Sequence, residues 1–397
     1  MEQDYLCPVD HSDSRARVLR HLRRVGLASR VELTEAVGLT KGTMTGLIAD
    51  LLARGILIEQ QSMAAGRGRP RVMLAINSRA AYALGFFPMH DGTALIDILD
   101  LQGTRVFSQR VEFHVPALEE LVSLLGDRLQ AIMARAPVET GRVRAIGIVM
   151  PAHLDRDRGI IHWMPPYGAH APLPVTRALQ QRLDLPISLE NRATVLARGE
   201  HWFGEPAVAD HFTMIALMEM GMGAACYVDG RLQGGFHGLN NEFAHVKVAF
   251  EGGRPCHCGG TGCLAAYVTP PAIASALAEA RGHKRPKRDD YTILFQQALA
   301  DAVQGVPDAL AIIERAGRAL GTAMASHINA HDPGRVIVAS LNEPFLRMVE
   351  PVVRSTLEQQ LLPVLRLNTV LEFRPVTLEA LMRGTAALAL ERLYRLS

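Results

Sequence analysis

Residues 29–52 read SRVELTEAVGLTKGTMTGLIADLL, two short helical segments joined at a glycine. Ser29 followed three residues later by Glu32 has the spacing of a capping box. It opens a helix carrying Leu33, Ala36 and Val37. Gly38 supplies a tight turn and Thr40 caps the next helix. There Met44, Leu47, Ile48, Leu51 and Leu52 recur at helical spacing as an apolar stripe. Upstream, Asp13 or Ser14 caps an earlier helix with Val18, Leu19, Leu22 and Val25 on one face, ended by Gly26. Downstream, Gly55 stops the third helix, and Ile56–Gln60 and Val72–Ile76 read as strands around the tip MAAGRGRPR at 63–71. Three helices and a hairpin predict a winged helix-turn-helix over residues 14–77, behind a tail at 1–13.

The charge is concentrated in this segment. Residues 14–71 carry eleven Lys or Arg and four Asp or Glu, a net of +7, whereas the 397-residue chain is +2. The remainder is therefore mildly acidic, and a basic head on an acidic body points to a module that binds a polyanion. A third helix of this kind lies in the DNA major groove. Its polar residues Thr40, Lys41, Thr43 and Thr45 face away from the apolar stripe and are candidates for base and phosphate contacts. Arg67 and Arg69, on the extended wing tip, are candidates for the minor groove, where narrow A·T stretches concentrate negative potential. Double-stranded DNA is the expected partner.

Composition excludes several classes. Hydrophobic residues make up 48% and charged residues 21%, the balance of a chain that folds. Five cysteines are too few for a disulfide scaffold. The opening stretch MEQDYLCPVDHSD has no apolar h-region, and no apolar run reaches the roughly 18 residues of a membrane span. A cytoplasmic protein with no membrane partner is expected.

From Tyr82 onward the pattern changes. Ala81–Phe87, Ala94–Asp100 and Arg105–Phe113 read as consecutive strands, followed by an amphipathic helix at Leu118–Arg135 and a buried strand at Ala145–Val149. Residues 151–174 are rich in Pro and Gly and read as loop. Val175–Leu183 is helical, Ile187–Glu190 a strand, and Ala193–Phe203 a helix. After a break at Gly204 and Pro206, strands recur at His211–Met218, Ala224–Val228 and His245–Val248. Helices dominate Pro270–Ala330; strands at Arg335–Ala339 and Thr369–Phe373 and a helix at Leu378–Tyr394 complete the pattern. This is an α/β body of two lobes, 78–203 and 204–377, with a ligand expected in the cleft between them.

The densest chemical signal is His245 followed by Cys256-His257-Cys258-Gly259-Gly260-Thr261-Gly262-Cys263, with three of the five cysteines inside eight residues. Glycines permit the sharp turns that aim several sulfurs at one point. Three thiolates and one imidazole suit tetrahedral zinc, and a full set of four protein ligands makes the ion structural. His245, Cys256, Cys258 and Cys263 are the expected ligands. His257 competes for the fourth position, although its place between two cysteines makes the same ion hard to reach.

Asn241-Glu242-Phe243-Ala244-His245 with Cys256-x-Cys-Gly-x-x-Gly-Cys263-Leu264 resembles the zinc motif of the ROK family of repressors, open-reading-frame proteins and sugar kinases. The likeness extends to Gly147-Ile148-Val149-Met150-Pro151, Leu189-Glu190-Asn191 and Arg383-Gly384-Thr385-Ala386-Ala387. It implies an actin-like, hexokinase-like pair of lobes, with the last helix, 378–397, returning to the first. The winged head is what the family's repressors have and its kinases lack. By the same resemblance, Asn191, Glu242 and His245 match sugar-contacting positions.

Departures from the family pattern separate regulator from enzyme. Family kinases follow the asparagine with an aspartate that takes the sugar hydroxyl's proton; here Arg192 follows, and a guanidinium stays protonated. The kinase loop Asp-x-Gly-Gly-Thr has no counterpart in Gly85–His90, Gly-Thr-Gly becomes Glu219-Met220-Gly221-Met222-Gly223, and the late Gly-Gly is replaced around Ser340-Leu341-Asn342. A sugar-binding glutamate is replaced by Ala265, and the segment Pro-Asn-Leu-x-x-Trp by Trp163-Met164-Pro165-Pro166-Tyr167. The expectation is a homodimeric or larger DNA-binding repressor of carbohydrate genes, answering to a sugar or sugar derivative and lacking enzyme activity. A sugar kinase with an appended DNA-binding head, and a constitutive DNA-binding protein with no effector, are the alternatives.

Overall fold

The computed structural model of the chain describes residues 14–61, 72–89, 91–164, 171–204, 210–236, 238–239 and 242–396. It divides into two compact units, one running to Asn191 and resuming at Met382, the other spanning Arg192–Leu381.

The first unit opens with three helices, α1 (Ser14–Val25), α2 (Arg30–Val37) and α3 (Lys41–Ala53), and an antiparallel hairpin of β1 (Leu57–Gln61) and β2 (Val72–Ile76). Ser29 and Glu32 form the reciprocal cap, the Glu32 amide donating to Ser29 Oγ at 3.3 Å and the Ser29 amide to Glu32 Oε2 at 2.7 Å. The α1 stripe buries Ala16, Val18, Leu19 and Leu22, and the α3 stripe buries Met44, Ile48 and Leu51. Val25 departs from the expected stripe and is 51% exposed: it is the last residue of α1, and the chain leaves the core at Gly26, where φ turns positive. The wing tip, with Arg67 and Arg69, lies outside the described residues.

The rest of this unit is built on a sheet of order β5-β4-β3-β6-β9, from β3 (Tyr82–Pro88), β4 (Thr93–Asp100), β5 (Arg105–Glu112), β6 (Val143–Val149) and β9 (Ile187–Glu190). Neighbours β3–β4 and β4–β5 run antiparallel, β3–β6 and β6–β9 parallel. Helices α4 (Leu121–Arg135) and α5 (Val175–Leu183) contribute Leu125, Leu129 and Leu179 to a core with Phe86, Ile96 and Ile148. The stretch expected to be all loop contains a small hairpin, β7 (His153–Asp155) and β8 (Ile160–Trp163). Its strands are too short for a period-2 pattern to register, and its pairing is a contact between distant residues.

The second unit begins at α6 (Arg192–Phe203) and carries a sheet of order β12-β11-β10-β13-β14: β10 (Phe212–Leu217), β11 (Met222–Val228), β12 (Arg231–Leu232), β13 (Arg335–Ser340) and β14 (Val370–Pro375). Between β12 and β13 come α7 (Ala265–Val268), α8 (Pro270–Ala280), α9 (Tyr291–Val303) and α10 (Pro307–His331). After β13 come α11 (Glu343–Gln360) and α12 (Pro363–Asn368). Side chains alternate across the sheet. The cross-strand pair Phe212 and Tyr227 lies flat together, with His201 of α6 stacked on Tyr227. The next pair, Thr213 and Cys226, meets His327 of α10 on the opposite face. The strand expected at His245–Val248 is instead a single helical turn at Phe243–His245 followed by a short extended run. That run pairs with the cysteine loop, Val248 N donating to Gly262 O and Leu264 N to Val246 O, both at 2.9 Å, rather than with the sheet.

The last helix, α13 (Leu378–Leu396), enters the first unit at Met382. It lies directly on the first sheet because paired strands both offer glycine there. A Cβ at Gly85 would stand 3.0 Å from Thr385 Cγ2, and one at Gly147 would stand 2.9 Å from the Thr385 carbonyl. At its far end the fully buried Tyr394 donates to the Leu101 carbonyl at 2.7 Å.

One buried group makes the second unit acid-sensitive. Burial, reinforced by His331, holds His327 down to about 4 from its ordinary 6.5, with its Nε2 2.9 Å from Thr213 Oγ1. The unfolded chain therefore takes up a proton between those values that the folded chain refuses, so stability falls as pH drops from 6.5 toward 4. At pH 5 the loss relative to pH 7 is about 2 kcal/mol. Denaturant titrations at the two pH values are expected to show that difference in the wild type, reduced by about this amount in His327→Gln. An equal loss in both proteins would contradict the assignment.

Candidate functional site

In the first unit, α3 offers an exposed polar edge. Thr40, Lys41, Thr43 and Thr45 are all exposed. Thr40 is also occupied locally: its Oγ1 accepts from the Thr43 amide at 3.2 Å, and the two hydroxyls are 2.9 Å apart. Thr45 donates to the Lys41 carbonyl at 2.8 Å, leaving its oxygen lone pairs to accept. Lys41, in the first turn, presents a full charge to solvent.

In the second unit, the turn that ends at His245 and the loop that follows bring four donors to one place. The imidazole of His245 and the sulfurs of Cys256, Cys258 and Cys263 offer ligand atoms all within 4.8 Å of one another. Cys256 Sγ is 3.7 Å from His245 Nδ1, and Cys258 Sγ is 3.7 Å from Cys263 Sγ. Zinc–sulfur bonds of about 2.3 Å at tetrahedral angles put sulfurs about 3.8 Å apart, so the donor set fits such an ion. His257 also approaches Cys256, its Nδ1 3.8 Å from Sγ, but the converging group contains His245 and not His257.

The local fold explains the convergence. The Pro255–Thr261 and Lys247–Cys263 bridges pin the two ends of the loop, and the Cys256 amide donates to the Gly260 carbonyl at 2.8 Å. Gly262 has φ +70°, and a Cβ there would lie 2.0 Å from the Ala249 carbonyl oxygen, so no other residue allows this crossing. Burial pushes the Cys256 thiol up to about 12, so its ionisation calls for a cation nearby. Lys247 joins this group only through the fold. Its Nζ is 2.7 Å from the Thr261 carbonyl and 3.1 Å from Cys263 Sγ. The available signal was a charged residue two positions past a candidate ligand histidine, which spacing alone does not distinguish from any surface lysine.

The residues matched to sugar contacts fall in both units. Asn191 ends the first unit, its amide donating to Glu190 Oε1 at 3.0 Å; the Glu190 carboxylate is buried and stands 3.8 Å from Arg156. Arg156 belongs to the β7–β8 hairpin, where the rings of His153 and Trp163 pair at 4.8 Å. Glu242 and His245 are in the second unit, joined by the bond from the His245 amide to the Glu242 carbonyl at 2.9 Å. Asn241 and Tyr167 lie outside the described residues.

The positions matched to phosphoryl transfer are occupied by other devices. Arg192 donates to Glu219 at 3.1 Å, so the first residue of α6 and the β10–β11 turn are tied by an ion pair. At the β3–β4 turn the Asp91 carboxylate accepts from the amide and hydroxyl of Thr93 at 3.1 and 2.6 Å, and Arg110 pairs with it. Asn342 caps α11, accepting from the Phe345 amide at 2.8 Å.

The model of the ROK family matches residues 93–392. Among curated proteins, the xylose repressor of Bacillus spizizenii is 25% identical over 349 residues, covering 88% of this chain and 87% of its own. The N-acetylglucosamine repressor of Escherichia coli O157:H7 is 28% identical over 361 residues, covering 89% and 86%. A solved ROK family transcriptional regulator, a homologue of the E. coli MLC protein, shares the fold at TM-score 0.81 and 24% identity, over 97% of this chain and 96% of that one. ROK sugar kinases are also among the solved structures that share the fold. Among the described residues, no helix is long and apolar enough to cross a membrane.

Proposed function

The chain belongs to the ROK family, and from that premise we propose that it is a sequence-specific DNA-binding repressor of carbohydrate-utilisation genes, controlled by a sugar or sugar derivative and without kinase activity. The observation that carries this reading is the joint occurrence of an α3 whose exposed first turn presents Lys41 beside Thr40, Thr43 and Thr45, within a basic head, and an Arg192–Glu219 ion pair where a kinase needs a free carboxylate base. The names of the relatives support the class of effector; the sugars differ between them, so the particular one is not transferred.

In this reading residues 14–77 are the DNA-binding head; the body lobes expected at 78–203 with the returning 378–397 and at 204–377 correspond to the rest of the first unit and to the second unit, whose limits fall at Arg192 and Leu381 because α6 packs on β11. Thr40, Lys41, Thr43 and Thr45 meet the major groove, and Arg67 and Arg69 the minor groove. A cytoplasmic homodimer, or a larger assembly of dimers, presents two heads to a pseudo-palindromic operator. Asn191, Glu242 and His245 contact the effector, which releases or secures the operator only through its different affinity for the two states. His245, Cys256, Cys258 and Cys263 hold a zinc ion whose contribution is structural: it fixes the loop and the orientation of His245.

The test is operator binding. Genomic fragments selected by the full chain are expected to bind far more tightly than random duplex. Lys41→Ala combined with Arg67→Ala is expected to weaken that binding roughly 10- to 100-fold near physiological salt and to flatten the dependence of log affinity on log salt by about 2. Unchanged affinity in a gel-shift titration would remove the docking assignment. ATP turnover at an enzyme-like rate with any hexose in a coupled ADP-release assay would favour the kinase alternative.

A further inference from the structure

We propose that Lys247 is a working part of the metal centre: its ammonium group donates to the Cys263 thiolate and balances the surplus negative charge of the ligand set. The inference rests on the zinc reading above. Three thiolates and a neutral imidazole around a dication leave a net charge of −1. Lys247 supplies the missing positive charge at hydrogen-bond distance, with Nζ 3.1 Å from Cys263 Sγ.

The placement has three supports. The main chain of Lys247 bridges that of Cys263 in antiparallel register, so the lysine stem starts beside the cysteine it serves. The ammonium is anchored at 2.7 Å to the Thr261 carbonyl. The head also rests over Gly260, where a Cβ would stand 2.9 Å from Nζ; the glycine leaves the opening through which it reaches the sulfur. A flexible surface lysine covering a thiol by chance has no reason to be held from its own backbone, from a carbonyl and through such a gap at once. A hydrogen bond from a cation draws charge off the ligating sulfur, orients its lone pairs and makes the thiolate a poorer target for protons and competing electrophiles. Groups in this outer position typically alter metal affinity 10- to 100-fold. Because Lys247 is solvent-exposed, screening holds the effect to the low end of that range.

The experiment is a zinc competition with a chromogenic chelator on the full-length wild type, Lys247→Met and Lys247→Arg. Lys247→Met keeps the length of the stem and removes both charge and donor; a roughly tenfold loss of zinc affinity is expected. Lys247→Arg keeps both and is expected to stay within about threefold of wild type. Wild-type affinity in Lys247→Met overturns the inference, as does a loss in Lys247→Arg equal to that in Lys247→Met. A wild type that binds no stoichiometric zinc overturns the zinc reading itself, and that result is visible before either variant is compared.

Discussion

Replacing Cys256 and Cys258 together by serine is expected to reduce the metal content of the purified chain from about one ion to nearly none, with loss of order in the loop from Val246 to Leu264. Serine keeps the size of cysteine but does not ionise near neutral pH, so two of four ligands vanish and the tetrahedral set cannot close. The ion's contribution to a small peptide is about 10–16 kcal/mol. Here the loss is confined to the loop, because the second sheet and its helices have their own apolar core around Ile273, Leu320, Val338 and Phe345. Elemental analysis gives the metal content. Hydrogen exchange gives the order, with the amides of Val248, Cys256 and Gly262, which bond across the loop, expected to lose protection. Unchanged metal content would rule out the ligand assignment. Unchanged exchange after metal loss would show that the glycine turns and backbone bridges hold the loop by themselves.

Arg335→Ala is expected to destabilise the second unit by about 3–5 kcal/mol. Arg335 opens β13 and its side chain is 6% exposed. It donates to Glu200 of α6 at 2.9 Å and pairs with Glu372 of β14, while Arg374 reaches Glu200 at 3.0 Å and also pairs with Glu372. Two guanidiniums thus share two carboxylates across a helix and two strands. Removing the more buried cation leaves Glu200, itself 12% exposed, with half its compensation. The hydrogen bond from Arg335 is also the main cause that holds the Glu372 carboxyl below its ordinary range. Urea unfolding followed in the second unit measures the change. A loss below about 1 kcal/mol would mean that Arg374 and water satisfy both carboxylates.

Much of this molecule was legible before any coordinates. Ser29, Glu32, Gly38 and Thr40 fixed the helix boundaries in the head, because caps and left-handed turns are decided by the chemistry of a few adjacent residues. The helix at Val175–Leu183 and the strand at Ile187–Glu190 also have the bounds expected from the sequence. The cysteine cluster was legible from its density. Contacts between distant residues were not. The β7–β8 hairpin is built from strands of three and four residues, and its paired rings, His153 and Trp163, are ten positions apart. The sequence reading places His245 at the start of a strand, His245–Val248. Its backbone turns instead, since the partner of that run is the cysteine loop and not a neighbouring strand.

The division follows from the range of the forces. Local order, the charge asymmetry between head and body, the converging thiols and the missing kinase residues depend on residue type and short spacing, so the sequence alone determined them. Which charges neutralise one another depended on how remote segments meet. Arg192 is only a lost base until Glu219 is found beside it, and Lys247 is only a surface lysine until it is seen against Cys263. The tertiary structure decided these pairings, because an ion pair or a hydrogen bond acts over a few ångströms and chain order carries no distance between residues that folding brings together.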